Sequence, residues 1–268
     1  MSSSDAQSKA LTYSRYLKTD ELLSLQEPLS AGPEHDEMLF IVIHQVYELW
    51  FKQILHEFSR LQAMLEANDT PQALATFKRV LTILKTLVAQ VDVLETMTPV
   101  AFNSFRARLE SASGFQSAQF REVEFVLGYK NVNLVRHHPP DSLGARRLQL
   151  LLHQPSLYDS FLRFLAANGY DVPRELLERD VSLPIESSAE LQLVLLEIYR
   201  EDPMCTMICE RLVDLDEGLQ EWRYRHVKMV ERTIGSKTGT GGSEGTEYLK
   251  STLFHPLYAD LWAIRGKL

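Results

Sequence analysis

The chain has 268 residues, 45% of them hydrophobic, which is enough for a substantial core in one large domain or two small ones. Its net charge of −8 would repel phosphate backbones, so nucleic acid is an unfavourable partner. The N-terminus lacks the apolar core of a signal peptide, and no apolar run is long enough to span a bilayer. With only two cysteines, Cys205 and Cys209, we expect a cytoplasmic protein with reduced thiols and no membrane partner.

The first residues form a polar arm with a few apolar side chains. Residues 1–12 are rich in serine and show no periodicity, so we expect a disordered tail. Tyr13, Tyr16 and Leu17 follow, and the simplest explanation of these side chains is that the arm docks onto its own domain. Thr19 is predicted to cap a short helix over the letters DELLSLQ.

The most informative stretch is a long apolar helix predicted from His35 onwards, with the sequence HDEMLFIVIHQVYELWFKQILHEF. Apolar residues cover nearly its whole circumference, which is typical of a buried helix, and the pattern continues to about Glu66. His44 lies at mid-length, on one face with Phe40. The ordinary explanation of a single imidazole in such a place is a core histidine bonded to a neighbour.

Two further helices are predicted from their start signals. Thr70 followed by Pro71 combines a cap with a proline at the first helical position, and apolar spacing continues to about Met97. Thr98 followed by Pro99 repeats the signal for a helix over VAFNSFRARLE.

The segment after Pro99 brings a cation close to aromatic residues. Phe102, Phe105 and Arg106 lie within about one helical turn of each other. Residues 111–115 should break the helix, and another helix is predicted over 119–128, ending at a glycine.

The middle of the chain is predicted to contain a loop and a small helical insertion. Residues 130–145 should form a loop in which His137 and His138 lie in a solvated turn, since no third metal ligand has suitable spacing. Helices over 148–170 and 173–178 indicate a peripheral insertion at about 139–180.

Long helices are predicted over 187–200 and 203–234. No segment alternates in the manner of a strand, so the sequence predicts an all-α protein.

A second histidine, His226, lies on the apolar face of the last long helix. That face consists of residues at helical spacing: Leu212, Leu215, Leu219, Trp222, His226, Met229 and Val230. Two imidazoles on separate core helices suggest groups on either side of a ligand. A di-iron centre needs Glu-x-x-His pairs, and a zinc site needs a second ligand one turn away; neither pattern occurs. Haem suits the pattern better, because it needs one axial histidine and an apolar slot.

The last long helix is followed by a glycine-rich stretch, GSKTGTGGSEG, over 235–245. A phosphate-binding loop would need glycines at positions 231 and 236, which hold Glu231 and Ser236. A mobile loop that closes over a ligand with Thr238 and Thr240, or a flexible connector, both explain the composition.

Three ordered blocks resemble the tryptophan 2,3-dioxygenase family: HDEMLFIVIHQVYELWFKQ, FRARLESASGFQSAQFREVEFVLG and WRYRHVKMVERTIGSKTGTGGSEGTEYL. The resemblance extends from about Tyr13 to the C-terminus and implies one all-α domain over 13–268, built around a buried ferrous haem b in each subunit. It implies insertion of both atoms of O₂ across the indole C2–C3 bond of L-tryptophan, giving N-formyl-L-kynurenine, the first step of the kynurenine pathway. Phe102 stands where some members have Tyr, and the 130–147 loop varies in length.

The resemblance also implies roles for particular residues. His226 would be the proximal ligand of the haem iron, and His44 the distal histidine that faces the indole N–H. Arg106 would grip the substrate carboxylate, as a guanidinium suits, with Thr240 of the glycine-rich loop assisting. Residues lining the indole pocket would be Phe40 and Phe102, and those near the haem and O₂ would be Ser113 and Gly114.

The family is homotetrameric, which changes the expectation for the N-terminal arm. The arm, about 13–30, would reach a neighbouring subunit, where Tyr13, Tyr16 and Leu17 would help to enclose the indole. Two other classes stay open from the residues alone: a haem-based sensor that never turns over, and a helical scaffold whose histidines are structural.

Overall fold

The computed structural model describes residues 11–110, 112–235, 237 and 246–268. Within these ranges the chain forms helices and connecting segments without a strand, so the prediction of an all-α protein is confirmed. The α-helices of this part are α1 (Tyr13–Leu17), α2 (Thr19–Leu23), α3 (Asp36–Glu66), α4 (Thr70–Leu94), α5 (Pro99–Phe105), α6 (Ala118–Leu127), α7 (Val132–Arg136), α8 (Leu143–Leu152), α9 (Leu157–Ala167), α10 (Arg174–Leu177), α11 (Ala189–Glu201), α12 (Pro203–Ile234), α13 (Thr246–Ser251) and α14 (Ala259–Ala263).

The three longest helices, α3, α4 and α12, form the centre of the molecule. Helix α4 packs against both α3 and α12, while α9 and α6 pack on α3. Large side chains from these helices are fully buried in the main core, among them Phe58, Phe77, Phe161, Leu61 and Leu212. No helix in the described ranges is both long enough and apolar enough to cross a membrane.

Helix starts follow capping chemistry, with two shifts from the predicted caps. Thr98 caps α5 as predicted, accepting a hydrogen bond from the Ala101 N–H at 3.1 Å. Helix α4 is capped by Asp69 rather than Thr70, because the Asp69 carboxylate accepts from the Gln72 N–H. Thr19 does not cap α2: it is the first helical residue, and the preceding Lys18 adopts a left-handed conformation without a side-chain cap.

Helix ends agree with the predictions to within a few residues. Helix α3 ends at Glu66, as predicted, and α12 has the predicted bounds. Helix α6 ends where Gly128 takes a positive φ of 108°, which confirms the predicted glycine terminus. Helix α4 ends at Leu94 and not at Met97.

The expectation that α3 is buried all round is wrong for its first half within one chain. Met38, Val42 and Leu49 are 42%, 37% and 50% exposed, because these side chains face solvent in the single chain. From Ile54 onwards the apolar side chains point into the main core, where α4 and α9 cover them.

The segment predicted as a loop over 130–145 is partly helical. Asn131 caps the short helix α7, and Ser142 caps α8, which begins inside the predicted loop. The prediction of a solvated turn is wrong for His138, which is only 8% exposed, because the N-terminal ends of α6 and α8 enclose it; His137 is exposed.

Residues 139–180, which we expected to form a peripheral insertion, include a helix that belongs to the main core. Helix α9 packs along α3 and buries Leu157, Phe161 and Leu165 completely. The sequence did not show this, because the packing joins residues about a hundred positions apart.

Candidate active site

His44 has a defined tautomer in the structure. Its Nδ1 atom lies 2.7 Å from the carbonyl oxygen of Phe40, one turn earlier in α3. Since a carbonyl can only accept, Nδ1 carries the hydrogen, and Nε2 keeps its lone pair. Burial lowers the pKa of His44, although the Phe40 carbonyl and the charge of Glu48 act in the opposite direction. His44 is therefore a neutral imidazole with a free acceptor nitrogen.

His226 lies on α12 and stacks on Trp222, one turn earlier. The two rings are nearly parallel, at 7°, with centroids 5.2 Å apart. Burial lowers the pKa of His226 to about 4, and the charges of His44 and Arg121 add to this effect. Because His226 is neutral, it has a nitrogen lone pair available for a metal.

An aromatic patch lies beside His44 and consists of Phe40, Phe102 and Phe105. Their ring centroids are 5.5 to 5.9 Å apart, and the ring of Phe40 also lies 4.1 Å from that of His44. Phe105 is fully buried and Phe102 is 8% exposed. The patch offers an apolar surface on which a flat aromatic molecule could pack against His44.

Arg106 lies at the edge of this patch. It begins a 3₁₀-helix, Arg106–Leu109, that continues α5, and its backbone N–H donates to the carbonyl of Phe102. The side chain is half-buried. Phe40 thus contacts both His44 and Phe102, and Arg106 follows Phe102 by one helical turn.

The loop with Ser113 and Gly114 is tied to the helix that carries His44. The Glu48 carboxylate, one turn past His44, accepts hydrogen bonds from the Ser117 hydroxyl at 2.5 Å and from the Gln119 amide at 2.8 Å. Sequence analysis missed Glu48, although a carboxylate one turn after a histidine on an apolar helix could have indicated it.

Gly114 has open space where a side chain would point. A Cβ atom built there would contact no atom of the described chain within 4 Å, and the residue has no positive φ that would require glycine. Neither packing nor backbone strain within the chain explains a glycine at this position. A bound group that approaches the backbone closely would explain it.

A buried ion network lies beside the histidine of α12. The carboxylate of Glu124 accepts from Arg121 at 2.6 Å and from Arg223 at 2.7 Å, and all three residues are at most 5% exposed. Two guanidinium groups and one carboxylate leave one buried positive charge near His226. Sequence analysis missed the network, whose local signal is the i, i+3 pair of Arg121 and Glu124.

The predicted arm residues do not join this site within their own chain. Tyr13, Tyr16 and Leu17 are 76%, 72% and 45% exposed, so docking onto their own domain is not observed. Thr240 and most of the glycine-rich stretch lie outside the described residues, as does most of the predicted disordered tail.

The residues around His226 and Gly114 suit a bound haem. An axial ligand must be an imidazole that is neutral and has a nitrogen lone pair available, and burial keeps His226 neutral while its ring stacks on Trp222. Met229 and Ile43 belong to the apolar cluster that surrounds the aromatic patch. The open space at Gly114 is consistent with a large flat group lying against that loop.

Comparison with known proteins identifies one family. The model of the family described as tryptophan 2,3-dioxygenase matches residues 2–202 and 189–268. A protein named tryptophan 2,3-dioxygenase from Herpetosiphon aurantiacus is 61% identical over 97% of this chain and all of its own length. Its namesakes from Anaeromyxobacter dehalogenans, at 58% over the full length of both chains, and from Kineococcus radiotolerans, at 45% over 97% of this chain and 92% of its own, are also similar. The chain therefore belongs to the tryptophan 2,3-dioxygenase family.

Proposed function

We propose that this protein is a haem-dependent dioxygenase that inserts both atoms of O₂ across the C2–C3 bond of L-tryptophan. The product is N-formyl-L-kynurenine, which makes this the first step of tryptophan catabolism by the kynurenine pathway. Family membership and the names of the relatives support the reaction. The structural observation that carries the proposal is a neutral His44 whose Nε2 can accept a hydrogen bond, set beside an aromatic patch, together with a second neutral imidazole, His226, on α12.

His226 would hold the iron of haem b, one haem per subunit and ferrous in the active state. Stacking on Trp222 fixes the plane of the His226 ring, and burial keeps the ring neutral. When bound, the haem supplies the position at which O₂ is held and activated. Ser113 and Gly114 would lie close to the haem and O₂, in a loop that Glu48 attaches to α3 through Ser117.

Different residues would bind the indole ring, the carboxylate and the ammonium group of the substrate. Phe40 and Phe102 would pack against the indole ring. Arg106 would bind the carboxylate, for which a planar guanidinium has matching geometry. Thr240 would assist at the carboxylate and ammonium end, so that the glycine-rich stretch acts as a lid.

His44 would orient the indole rather than remove its proton. Nδ1 donates to the Phe40 carbonyl, so Nε2 is the nitrogen able to accept a hydrogen bond from the indole N–H. The lowered pKa makes this imidazole a weaker base than usual, and an indole N–H is only weakly acidic. A hydrogen bond that positions the ring and stabilises charge developing on its nitrogen is the role that agrees with both facts.

The functional unit would be a cytoplasmic homotetramer with exchanged N-terminal arms. The C-terminal end of the arm is attached to α3 of its own chain. The backbone N–H groups of Leu29 and Ser30 donate to the Glu37 carboxylate at 2.8 and 2.9 Å. Beyond that anchor, α1 buries no residue of its own. Tyr13, Tyr16 and Leu17 would instead enclose the indole in a neighbouring subunit. Both cysteines are free and buried, which supports the cytoplasmic assignment.

The deciding experiment follows the purified protein through three measurements. A Soret band would show haem and exclude a bare helical scaffold. O₂ consumption that depends on L-tryptophan, with the absorbance of N-formylkynurenine appearing in parallel, would establish the dioxygenase. Haem and tryptophan binding without O₂ consumption in the reduced protein would instead identify a sensor and overturn the proposal.

A further inference from the structure

The two adjacent histidines of the sequence, His137 and His138, line a cleft that the proposed reaction does not use. The cleft has a volume of about 330 Å³, and its other walls include Gln116, Ser142 and Gly144. It lies at the start of α8 and beside the start of α6. Helix α6 packs against both α3, which carries His44, and α8.

Two helix N-termini meet at this cleft. Ser117 caps α6 and Ser142 caps α8, each ten residues long. The helices approach so closely that a Cβ atom at Gly144 would lie only 2.6 Å from the Cβ of Ala118. Only glycine permits this approach without displacing a neighbour. Both helix dipoles therefore present their positive ends, with backbone N–H groups, to the same space.

His138 is a largely buried residue whose ring has no hydrogen-bond partner among the described residues. The residue is 8% exposed, and its ring forms no hydrogen bond within the described ranges. A Cβ atom at Gly144 would lie 3.9 Å from Nδ1 of His138 and 4.0 Å from the Ser142 hydroxyl oxygen, so both groups border the same small volume. Buried polar side chains normally have a partner, and here the space for one is inside the cleft.

The charges around the cleft favour an anion. The Arg121 guanidinium is close enough to lower the pKa of His138, as burial itself does to a larger extent. Of the carboxylates on α6, Glu124 is paired with Arg121, whereas Glu122 lies 3.9 Å from Arg147 and burial raises its pKa, which favours its uncharged form. The groups left to face a ligand are mainly donors, namely helix N–H groups, the Gln116 amide, the Ser142 hydroxyl and an imidazole.

We propose that this cleft binds an oxyanion, the phosphate or carboxylate group of a small solute. The amide of Gln116, the hydroxyl of Ser142 and the ring N–H of His138 would donate to its oxygen atoms, together with N–H groups at the starts of α6 and α8. Gln116 is two residues from Gly114. A ligand in the cleft would therefore bind at the outer end of the loop that we place beside the haem.

The test uses the haem-loaded protein with inorganic phosphate and, separately, acetate, each against sodium chloride at equal ionic strength. We expect saturable binding of one or both anions by calorimetry. Bound anion should slow the modification of His137 and His138 by diethyl pyrocarbonate, located by mass spectrometry, but not that of exposed His153. Gln116→Leu should weaken binding at least tenfold, whereas Gln149→Leu, an exposed glutamine further along α8, should not.

Three results would overturn the proposal. The first is no saturable binding of either anion beyond the chloride control. The second is binding that Gln116→Leu leaves unchanged and that does not protect His138. Because the protection assay uses the unaltered chain, it stays decisive if Gln116→Leu fails to fold. The third is binding by haem-free protein alone, which would mean that the carboxylates of the haem itself fill the cleft.

Discussion

The Nδ1 atom of His44 lies 2.7 Å from the carbonyl oxygen of Phe40, so Nδ1 carries the hydrogen and Nε2 is the nitrogen that can accept a hydrogen bond. The carbonyl belongs to the preceding turn of the same helix, so this relationship does not depend on a bound ligand. The ordinary explanation of a lone buried histidine, a hydrogen bond to a neighbour, is therefore correct here. That same bond leaves the opposite nitrogen, Nε2, able to accept a hydrogen bond.

Replacing His44 by alanine should slow the reaction without abolishing it. We expect a loss of about 10²–10⁴-fold in kcat/KM, the range found for positioned groups that handle protons or hydrogen bonds. Haem content should not change. His56→Ala, on an exposed face of the same helix, is the matched control and should leave turnover intact. Complete loss of activity in His44→Ala, with haem and fold retained, would instead indicate an obligatory base.

Arg106→Leu should raise the KM for L-tryptophan sharply and affect tryptamine much less, because tryptamine lacks the carboxylate. Truncating one partner of a buried charged pair costs on the order of 2–5 kcal/mol. Steady-state kinetics with both compounds measure the difference. Arg108→Leu is the control, since Arg108 is two residues away and pairs with Glu34 at 3.1 Å. Equal losses for both compounds would make Arg106 a structural residue.

Gly114→Ala should leave the stability of the haem-free protein unchanged but reduce haem affinity or turnover. The added methyl would contact no described atom of the chain, so the free energy of unfolding of the haem-free protein should change by less than about 0.5 kcal/mol. If the haem lies against this loop, haem affinity or turnover should fall. Gly266→Ala, where a Cβ also meets nothing, is the control for both measurements. Unchanged haem affinity and turnover would remove Gly114 from the haem environment.

Asp159 should give the protein an acid-sensitive contribution to stability. It is 5% exposed at the start of α9, and although burial raises its pKa, bonds from Arg179 at 2.8 and 3.2 Å and from Ser156 hold the pKa below its ordinary value. A lowered folded-state pKa means that the stabilisation is complete above the ordinary value and is lost as the pH falls through the folded value.

Urea unfolding between pH 3 and 7 measures this contribution. Asp159→Asn should cost about 3–5 kcal/mol at pH 7, because it leaves the Arg179 charge unpaired, and should flatten the acid limb of the stability curve. Asp141→Asn, at an exposed position, should do neither. An acid limb that is unchanged in Asp159→Asn would show that other carboxylates control it.

Local signals account for the parts of this structure that the sequence predicted. Thr98 starts α5 and Gly128 ends α6 through contacts with residues a few positions away. The apolar stripe that includes His226 indicated its burial through helical spacing alone. Phe40 and His44, one turn apart, were predictable neighbours for the same reason.

Long-range contacts account for the parts that the sequence did not predict. The Glu48 carboxylate accepts hydrogen bonds from Ser117 and Gln119, about 70 residues further on. The sequence around Glu48 does not indicate that these two residues are its partners. His138 is buried only because the starts of α6 and α8 meet where Gly144 permits it. The exposure of Met38, Val42 and Leu49 on α3 likewise could not be predicted from helical spacing alone, because it depends on which other elements pack against the helix.

The last prediction concerns Tyr13, Tyr16 and Leu17. These side chains are exposed in the single chain, while the segment behind them is held by Glu37. If they complete a neighbouring pocket, a chain lacking residues 1–17 should fold and bind haem but bind tryptophan poorly. The enclosure would be reciprocal across a two-fold interface, each subunit completing the site of its partner.

Complementation tests this exchange directly. The truncated chain has an intact Arg106 and no arm, whereas full-length Arg106→Leu has an arm and a damaged pocket. Co-expression should form mixed oligomers in which an intact arm reaches an intact pocket, and tryptophan-dependent O₂ consumption should rise above that of either parent. A mixture of truncated chains with chains that carry both Arg106→Leu and Tyr16→Ala is the control and should recover less. If mixed oligomers are confirmed by mass spectrometry and activity stays at the level of the parents, each arm serves its own subunit.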